Sequence, residues 1–197
     1  MHQSSFENVI RFRDEFMEEL RTKKLSILDI GSMDVNGSYR EIFNDSSWCY
    51  VGADVTPGKN VDVILNNPYR WNSITTESVD VLVSGQAFEH IEYFWLTMLE
   101  ITRVLRTGGI CCLIAPSGGF EHRYPVDCWR FYPDGFKALA RFAGLTPLRC
   151  SCRQTSGDYT DDSDLWKDTV LVARKPAEKI FRKWRRRLLH RMIRMIS

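Results

Sequence analysis

The sequence predicts an α/β fold built on a mostly parallel, doubly wound sheet, and two observations favour it. Short runs of apolar and β-branched residues, of which residues 78–84 are an example, are separated by helical segments. The first two such runs, residues 25–30 and 48–53, lead directly into Gly31 and Asp54. Ligands in sheets of this kind bind at the carboxyl ends of the strands, so these positions predict a binding site.

The individual elements follow from local patterning. Apolar residues recur at helical spacing over residues 4–22. Another helix is predicted to begin at Pro133, because proline is common at the first helical position, and to be capped by Gly144. Helices are predicted at residues 4–22, after Gly37, at 92–105 and at 133–143. Strands are predicted at residues 25–30, 48–53, 61–65, 78–84, 110–115, 148–152 and 169–173, of which the last two are a candidate hairpin.

Length and composition indicate one domain of ordinary globular type. The chain has 197 residues, 44% hydrophobic and 26% charged, and it has no apolar run long enough for a transmembrane helix. Its first residues lack the pattern of a secretory signal. The six cysteines form no C-x-x-C pair, so we expect reduced, mostly buried thiols of a cytosolic protein and no metal site. We divide the chain into an N-terminal helix (residues 1–24), a main domain (25–175) and a C-terminal segment (176–197).

Charge is distributed unevenly along the chain. Residues 174–197 contain ten Lys or Arg and one Glu, whereas residues 1–173 contain 17 basic and 24 acidic side chains. In residues 176–197, apolar side chains that include Phe181 and Trp184 fall on one face of a predicted helix. A basic helix of this kind is typical of binding to an anionic membrane surface, which predicts a cytoplasmic protein that is peripheral at the inner membrane surface. Packing on the domain or on a dimer partner is the alternative, and a nucleic-acid-binding arm is less favoured.

The loop after the first strand indicates which ligand class binds. The dinucleotide pattern G-x-G-x-x-G is absent, because residues 31–37 read G-S-M-D-V-N-G. A pyrophosphate would find no tight glycine turn and would be repelled by Asp34, whereas Asp54 can accept hydrogen bonds from ribose hydroxyls. A cofactor with a ribose and no phosphate, such as S-adenosylmethionine, fits better. An ordinary strand-to-helix turn is the alternative.

Four segments carry a resemblance to a known family: residues 28–32 (L-D-I-G-S), Asp54, residues 80–91 (D-V-L-V-S-G-Q-A-F-E-H-I) and residues 103–109 (R-V-L-R-T-G-G). With them the chain resembles the class I S-adenosylmethionine-dependent methyltransferases. It is most similar to the small methyltransferase-domain branch found near polysaccharide and glycolipid biosynthesis. The resemblance implies a Rossmann-like, seven-stranded sheet with helices on both faces and an antiparallel final strand. The first loop departs from the family pattern because it lacks the second glycine.

The resemblance also implies that S-adenosylmethionine is the cofactor and that the strand ends contact it. The candidate cofactor-binding residues are Asp29, Gly31, Ser32, Asp54, Ser84, Gly85 and Gln86. Methyl transfer is an in-line displacement that needs alignment and often one general base, and it does not require a metal.

The loop after the fifth strand, residues 116–133, mixes acidic, basic and aromatic groups, and we expect it to bind the acceptor. His122 is predicted as the base, with Asp127 as its orienting partner or as an alternative base. His90, which follows the fourth strand, is a third catalytic candidate. The alternatives are a backbone-bonded His122, a structural ion pair of Asp127 with Arg130, and a helix N-terminal contact for His90.

Tyr124, Trp129 and Arg130 are predicted to contact the acceptor, because aromatic faces pack against the C–H faces of sugars. Packing of the loop on the domain is the alternative for both rings. The predicted function is O-methylation of a sugar hydroxyl on a glycan, a lipid-linked saccharide or a small-molecule acceptor. An RNA methyltransferase with a basic tail and a non-catalytic, membrane-recruited adaptor remain open.

Overall fold

The computed structural model of the protein describes residues 2–152 and 159–177, together with Leu188. One sheet contains the strands β1 (Leu25–Ile30), β2 (Trp48–Asp54), β3 (Val63–Ile64), β4 (Val79–Gly85), β5 (Leu105–Pro116), β6 (Thr146–Cys152) and β7 (Asp168–Arg174). The α-helices are α1 (Gln3–Phe16), α2 (Phe94–Val104), α3 (Pro133–Phe142) and α4 (Ser163–Trp166). Short 3-10 helices lie at Glu18–Leu20, Arg40–Phe43 and Phe88–His90.

The strand order in the sheet is β3-β2-β1-β4-β5-β7-β6. The strands β1 to β5 are parallel to one another, and β7 is antiparallel to both β5 and β6. The predicted fold class, with its antiparallel final strand, is therefore confirmed. Strand order reverses at β1, whose neighbours are β2 and β4, and a crevice forms at such a switch point at the carboxyl ends of the strands.

Buried side chains pack on both faces of the sheet. Along β5, Cys111 and Leu113 face a cluster that includes residues of α2 and α3, whereas Cys112 and Ile114 face a cluster that includes Val9 and other residues of α1. The adjacent cysteines thus point to opposite faces, as the alternation of a strand requires. All six cysteines are reduced, as expected, but only these two are buried, and two others are exposed.

Several predicted boundaries are wrong by a few residues. β5 starts at Leu105 rather than after the glycine pair, because Leu105 pairs with Val79 of β4. On the other side, the amide of Gly108 donates to the carbonyl of Lys175 (2.8 Å). Gly108 has φ +86°, a conformation that glycine adopts without strain. The first helix ends at Phe16, since Met17 leaves the helical region (φ −112°). The segment after Gly37 forms a 3-10 helix, and β3 has only two residues.

Most of the basic C-terminal helix predicted for residues 176–197 lies outside the described residues. Within the described ranges, no helix is long and apolar enough to cross a membrane. The N-terminal helix α1 packs against the sheet, where its side chains Val9 and Phe12 are buried.

A buried arginine–glutamate pair holds the loop between β3 and β4 on the sheet. Arg103 Nη2 lies 2.8 Å from an oxygen of Glu100, whose side chain is fully buried. The same guanidinium donates to the carbonyls of Ile74 and Trp71 (both 2.9 Å), and the amide of Trp71 donates to Glu100 (2.9 Å). Arg103 therefore acts as a structural anchor, and this explains its place in the R-V-L-R-T-G-G segment.

Replacing Arg103 with Met leaves the Glu100 carboxylate buried without its cation. We expect Arg103→Met to lower the free energy of unfolding by about 3–5 kcal/mol. Arg106→Met is the matched control, because Arg106 pairs with Asp80 at a half-exposed site and its loss should cost less than about 1 kcal/mol. Denaturant unfolding followed by tryptophan fluorescence measures both values. Equal losses in the two variants would contradict the assignment.

Candidate active site

A cavity of about 710 Å³ opens at the carboxyl ends of β1, β2 and β4. This volume is typical of a small-molecule site. Its wall is largely apolar, with a few polar groups from the strand ends and from two loops. The residues that line this cavity include Gly31, Asp54, Leu65, Trp71, Gln86, His90, Tyr124 and Val126. A second, more polar cavity of about 360 Å³ lies between α1 and the β6–β7 hairpin.

Gly31 and Asp54 join the loops that follow β1 and β2. Gly31 has φ +76°, and its amide donates to the carbonyl of Ala53 (2.9 Å). The Asp54 carboxylate accepts from the amides of Met33 and Thr56, both at 3.1 Å, and remains partly exposed to the cavity. A carboxylate on an otherwise largely apolar wall suits a ribose next to an adenine ring, so these residues fit S-adenosylmethionine.

Four predicted cofactor contacts lie behind the cavity wall. Asp29 is buried and accepts a hydrogen bond from Tyr50, and burial raises the pKa of its carboxyl to about 7. The Ser84 hydroxyl donates to the carbonyl of Ile30 (2.7 Å), and Ser32 donates to the carbonyl of Asn60 (3.2 Å).

Gly85, the fourth of these residues, packs against Tyr39, whose hydroxyl would lie 1.8 Å from a Cβ at this position. None of the four lines the cavity. In this structure they support the strand ends, and their direct contact with a cofactor stays a prediction.

Gln86 lines the cavity, but its side chain is engaged elsewhere. Its amide nitrogen Nε2 donates to Asp168 Oδ1 (2.8 Å), and its backbone amide donates to the carbonyl of Ile114 (2.9 Å). The residue has φ +56°, so β4 turns sharply here toward the Phe88–His90 segment. The hydrogen bond to Asp168 links the cavity wall to the start of β7.

Leu65 and Trp71 were not among the predicted site residues, although both line the cavity. Trp71 is buried, and its indole nitrogen donates to the carbonyl of Pro68 (3.0 Å). The Arg103–Glu100 pair described above holds this loop in place. The sequence signals for these contacts were weak. Leu65 follows a strand, and Trp71 is an aromatic residue of the β3–β4 loop that could cover an adenine ring.

The structure brings His90 and His122 together, with ring centroids 5.0 Å apart. Nδ1 of His90 lies 2.6 Å from the carbonyl oxygen of Val126, which can only accept, so the proton sits on Nδ1 and Nε2 is left free. Burial lowers the pKa of His90. His122 donates its backbone amide to Asp127 Oδ2 (2.7 Å), and its ring Nδ1 lies 3.3 Å from the same oxygen.

Asp127 and Arg130 form a tight pair within the loop. Arg130 donates from Nη1 to Oδ1 (2.5 Å) and from Nη2 to Oδ2 (2.8 Å), and it also donates to the carbonyl of Phe120 (2.7 Å). These bonds hold the pKa of Asp127 well below its usual range. A carboxylate that is so weakly basic favours the orienting role beside His122 over that of a base. Arg130 does not line the cavity, which favours the structural alternative over acceptor contact.

Tyr124 and Trp129 occupy different places near the cavity. Tyr124 is 53% exposed, lines the cavity, and has its ring centroid 6.4 Å from that of His90. Trp129 lies outside the cavity wall, where it packs edge-on against Phe94 and donates its indole N–H to the carbonyl of Glu92 (3.0 Å). Trp129 is 39% exposed, so it packs on the domain and also leaves part of its ring accessible at the surface.

Glu89 is a site residue that sequence reasoning missed. Its side chain is fully buried beside His90, and neither carboxylate oxygen has a hydrogen-bond partner among the described residues. Burial raises the pKa of Glu89 to about 8. Its place next to His90 in the sequence was the available signal, but burial and the approach of His122 are decided only by folding.

A family profile described as "Methyltransferase domain" matches residues 28–113 of the chain. The chain is similar to an uncharacterized methyltransferase of Mycolicibacterium gilvum (strain PYR-GCK), with 27% identity over 136 residues that cover 61% of this chain and 51% of the relative. The match therefore spans about half the length of that relative.

Solved structures with the same fold include the CurJ carbon methyltransferase, with a TM-score of 0.66, 14% identity, and coverage of 87% of this chain and 54% of that one. Another is the Burkholderia thailandensis 1,6-didemethyltoxoflavin-N1-methyltransferase with bound 1,6-didemethyltoxoflavin and S-adenosylhomocysteine. It has a TM-score of 0.64, 13% identity, and coverage of 88% of this chain and 85% of that one. At these identities the likeness establishes the fold.

Residues 28–113 of the chain thus match a methyltransferase domain, and the fold is that of the S-adenosylmethionine-dependent class of methyltransferases. S-adenosylmethionine is the cofactor of this class, as the resemblance implied. The two solved relatives are named for methylation at carbon and at a ring nitrogen, so the shared fold does not specify the acceptor atom.

Replacing Gly31 with Ala tests the cofactor end of the cavity. A Cβ on Gly31 would lie 2.5 Å from that of Ala87 and would force a side chain into a left-handed conformation. Relief of this clash would displace the loop that faces the cavity, so S-adenosylhomocysteine should bind about tenfold more weakly by calorimetry, a loss of about 1.4 kcal/mol. Gly135→Ala is the control, because Gly135 is helical and has open space. Unchanged affinity in Gly31→Ala would remove Gly31 from the site.

Proposed function

We propose that this protein transfers a methyl group from S-adenosylmethionine to a sugar hydroxyl on a glycan or lipid-linked saccharide. One observation carries the proposal. A single cavity joins a cofactor end, at Gly31 and Asp54, to an acceptor end, at His90 and Tyr124. The acceptor end presents the imidazole of His90 and the exposed ring of Tyr124, which are side chains suited to a polar ring with apolar faces.

Different residues of the cavity would contribute to different parts of the reaction. Asp54 would accept hydrogen bonds from the ribose, and Leu65 and Trp71 offer apolar surface for the adenine. When bound, S-adenosylmethionine supplies a methyl carbon that bonds to the acceptor oxygen as the carbon–sulfur bond breaks, leaving S-adenosylhomocysteine. His90 and His122 lie at the opposite end, where the acceptor hydroxyl must lose its proton to water in the cavity. The role of the two histidines there is to position the hydroxyl.

A row of aromatic rings extends from the acceptor end and supports a saccharide. The ring centroids of Tyr69 and Tyr93 are 5.3 Å apart, those of Tyr93 and Trp95 5.7 Å, and those of Trp95 and Trp129 6.3 Å. Tyr93 and Trp129 are the more exposed members, at 46% and 39%. Such a surface offers several stacking positions, which favours an extended acceptor over a single small molecule.

Truncating Trp129 tests the acceptor assignment. Transfer of labelled methyl groups is measured with nucleotide sugars, lipid-linked saccharides and total RNA as separate acceptors. We expect labelling of a saccharide, reduced up to about tenfold in Trp129→Ala because one stacking contact is lost, with unchanged binding of S-adenosylhomocysteine. Phe142→Ala, which removes another exposed aromatic, should behave as wild type. Labelling of RNA, or of no saccharide, would overturn the sugar assignment.

We also propose that residues 176–197 attach the enzyme to an anionic membrane surface, where lipid-linked acceptors are found. The proposal rests on the sequence, in which basic residues lie apart from an apolar stripe. Removing residues 178–197 should abolish sedimentation with phosphatidylserine vesicles, whereas the full chain should bind them less at high salt. Phosphatidylcholine vesicles are the control. Equal sedimentation of both proteins, or preferential binding of RNA by the full chain, would contradict it.

A further inference from the structure

We propose that Glu89, His90 and His122 form a binding site for a divalent transition-metal ion, of which Zn²⁺ is the best match, at the acceptor end of the cavity. One potential ligand atom from each residue lies within 4.8 Å of the other two. Glu89 and His90 are adjacent on the Phe88–His90 segment, and His122 reaches them from the loop after β5. The sequence prediction of no metal site considered cysteine spacing and could not detect this cluster.

The burial of Glu89 is the strongest argument for a cation. Its side chain is fully buried, and among the described residues neither carboxylate oxygen has a hydrogen-bond partner. A buried polar group without a partner costs free energy, and a buried charge costs more. Oε1 lies 3.7 Å from Nε2 of His90, the ring nitrogen that carries no proton. A cation between these atoms would satisfy both of them.

The surroundings of the histidines match those of metal ligands. A ligating histidine generally donates its other ring N–H to a carbonyl or a carboxylate, which fixes the tautomer. His90 Nδ1 bonds to the carbonyl of Val126 in this way. His122 Nδ1 lies 3.3 Å from Asp127 Oδ2, within ion-pair distance, but the two atoms do not have hydrogen-bond geometry. Arg130 holds that carboxylate from its other side. One nitrogen of each ring lies within 4.8 Å of a carboxylate oxygen of Glu89.

The combination of ligand atoms favours some metal ions over others. Two imidazole nitrogens with one carboxylate suit Zn²⁺ and neighbouring transition metals, whereas Mg²⁺ prefers oxygen ligands. Three protein ligands leave a coordination position open, as in catalytic sites. His90 lines the cavity, so the open position would be reached from it.

A role in the reaction rests on the proposed function. A hydroxyl that binds at the open position would lose its proton to water more readily. Its oxygen would then take the methyl group in the transfer described above. Binding of the metal itself does not depend on that activity, and this allows the two proposals to be tested separately.

The experiment uses the full chain after treatment with a chelator. Titration with Zn²⁺ by calorimetry should show one site, and Co²⁺ should give the visible absorption of a site with nitrogen ligands. Glu89→Gln, which keeps the side-chain size but removes the charge, and His122→Ala should each weaken Zn²⁺ binding at least tenfold. Glu121→Gln is the matched control, because Glu121 precedes His122 in the same loop but is exposed and pairs with Arg123. Mg²⁺ should give no comparable heat.

Two further readouts keep the outcomes distinct. Thermal unfolding and binding of S-adenosylhomocysteine, measured without metal, show whether each variant folds and keeps its cofactor site. Zn²⁺ binding in a protein that binds no S-adenosylhomocysteine supports the metal site and overturns the proposed function. Folded wild-type protein that binds no Zn²⁺, or binds it as tightly as folded Glu89→Gln and His122→Ala, overturns the metal site. In that case Glu89 is a protonated, buried carboxyl group.

Discussion

The parallel pairing of β1 with β2 on one side and β4 on the other is the constraint on which the site depends. Leu28 is in register with Val51 of β2 and with Leu82 of β4, so the three strands end at the same edge. The chain must leave each strand there, and its loops diverge around a crevice. Gly31 allows the first loop to pass close to Ala87 after β4, which keeps the floor of the crevice narrow.

Two arginine–carboxylate pairs hold the walls of that crevice. Arg103 and Glu100 fix the β3–β4 loop, and Arg130 and Asp127 fix the loop after β5. Both loops have little regular secondary structure, so few ladder hydrogen bonds restrain them. The carboxylate of each pair is buried, and since a buried charge without its partner is costly, each pair favours one loop conformation over others.

The two ends of the cavity differ in chemistry. The cofactor end is mainly apolar and presents the carboxylate of Asp54, which suits a ribose and an aromatic base. The acceptor end places two histidines and a buried glutamate beside exposed aromatic rings. The methyltransferase fold accounts for the chemistry of the cofactor end, but it does not specify the chemistry of the acceptor end. We therefore propose that the loop after β5 sets specificity. Gln86, which follows β4, joins the other side of the cavity to β7 through its contact with Asp168.

The sequence by itself determined the fold class and the order of most elements, and it predicted the cofactor end, because strand composition, Gly31 and Asp54 are local signals. It also identified His90 and His122 as candidates. The tertiary structure decided which of these residues reach the cavity: Asp29, Ser32, Ser84 and Gly85 lie behind its wall. The tertiary structure also decided that Arg130 pairs with Asp127 and that Glu89 is buried close to His90 and His122. The physical reason is that burial and long-range pairing depend on contacts between segments far apart in sequence, which local patterns do not encode.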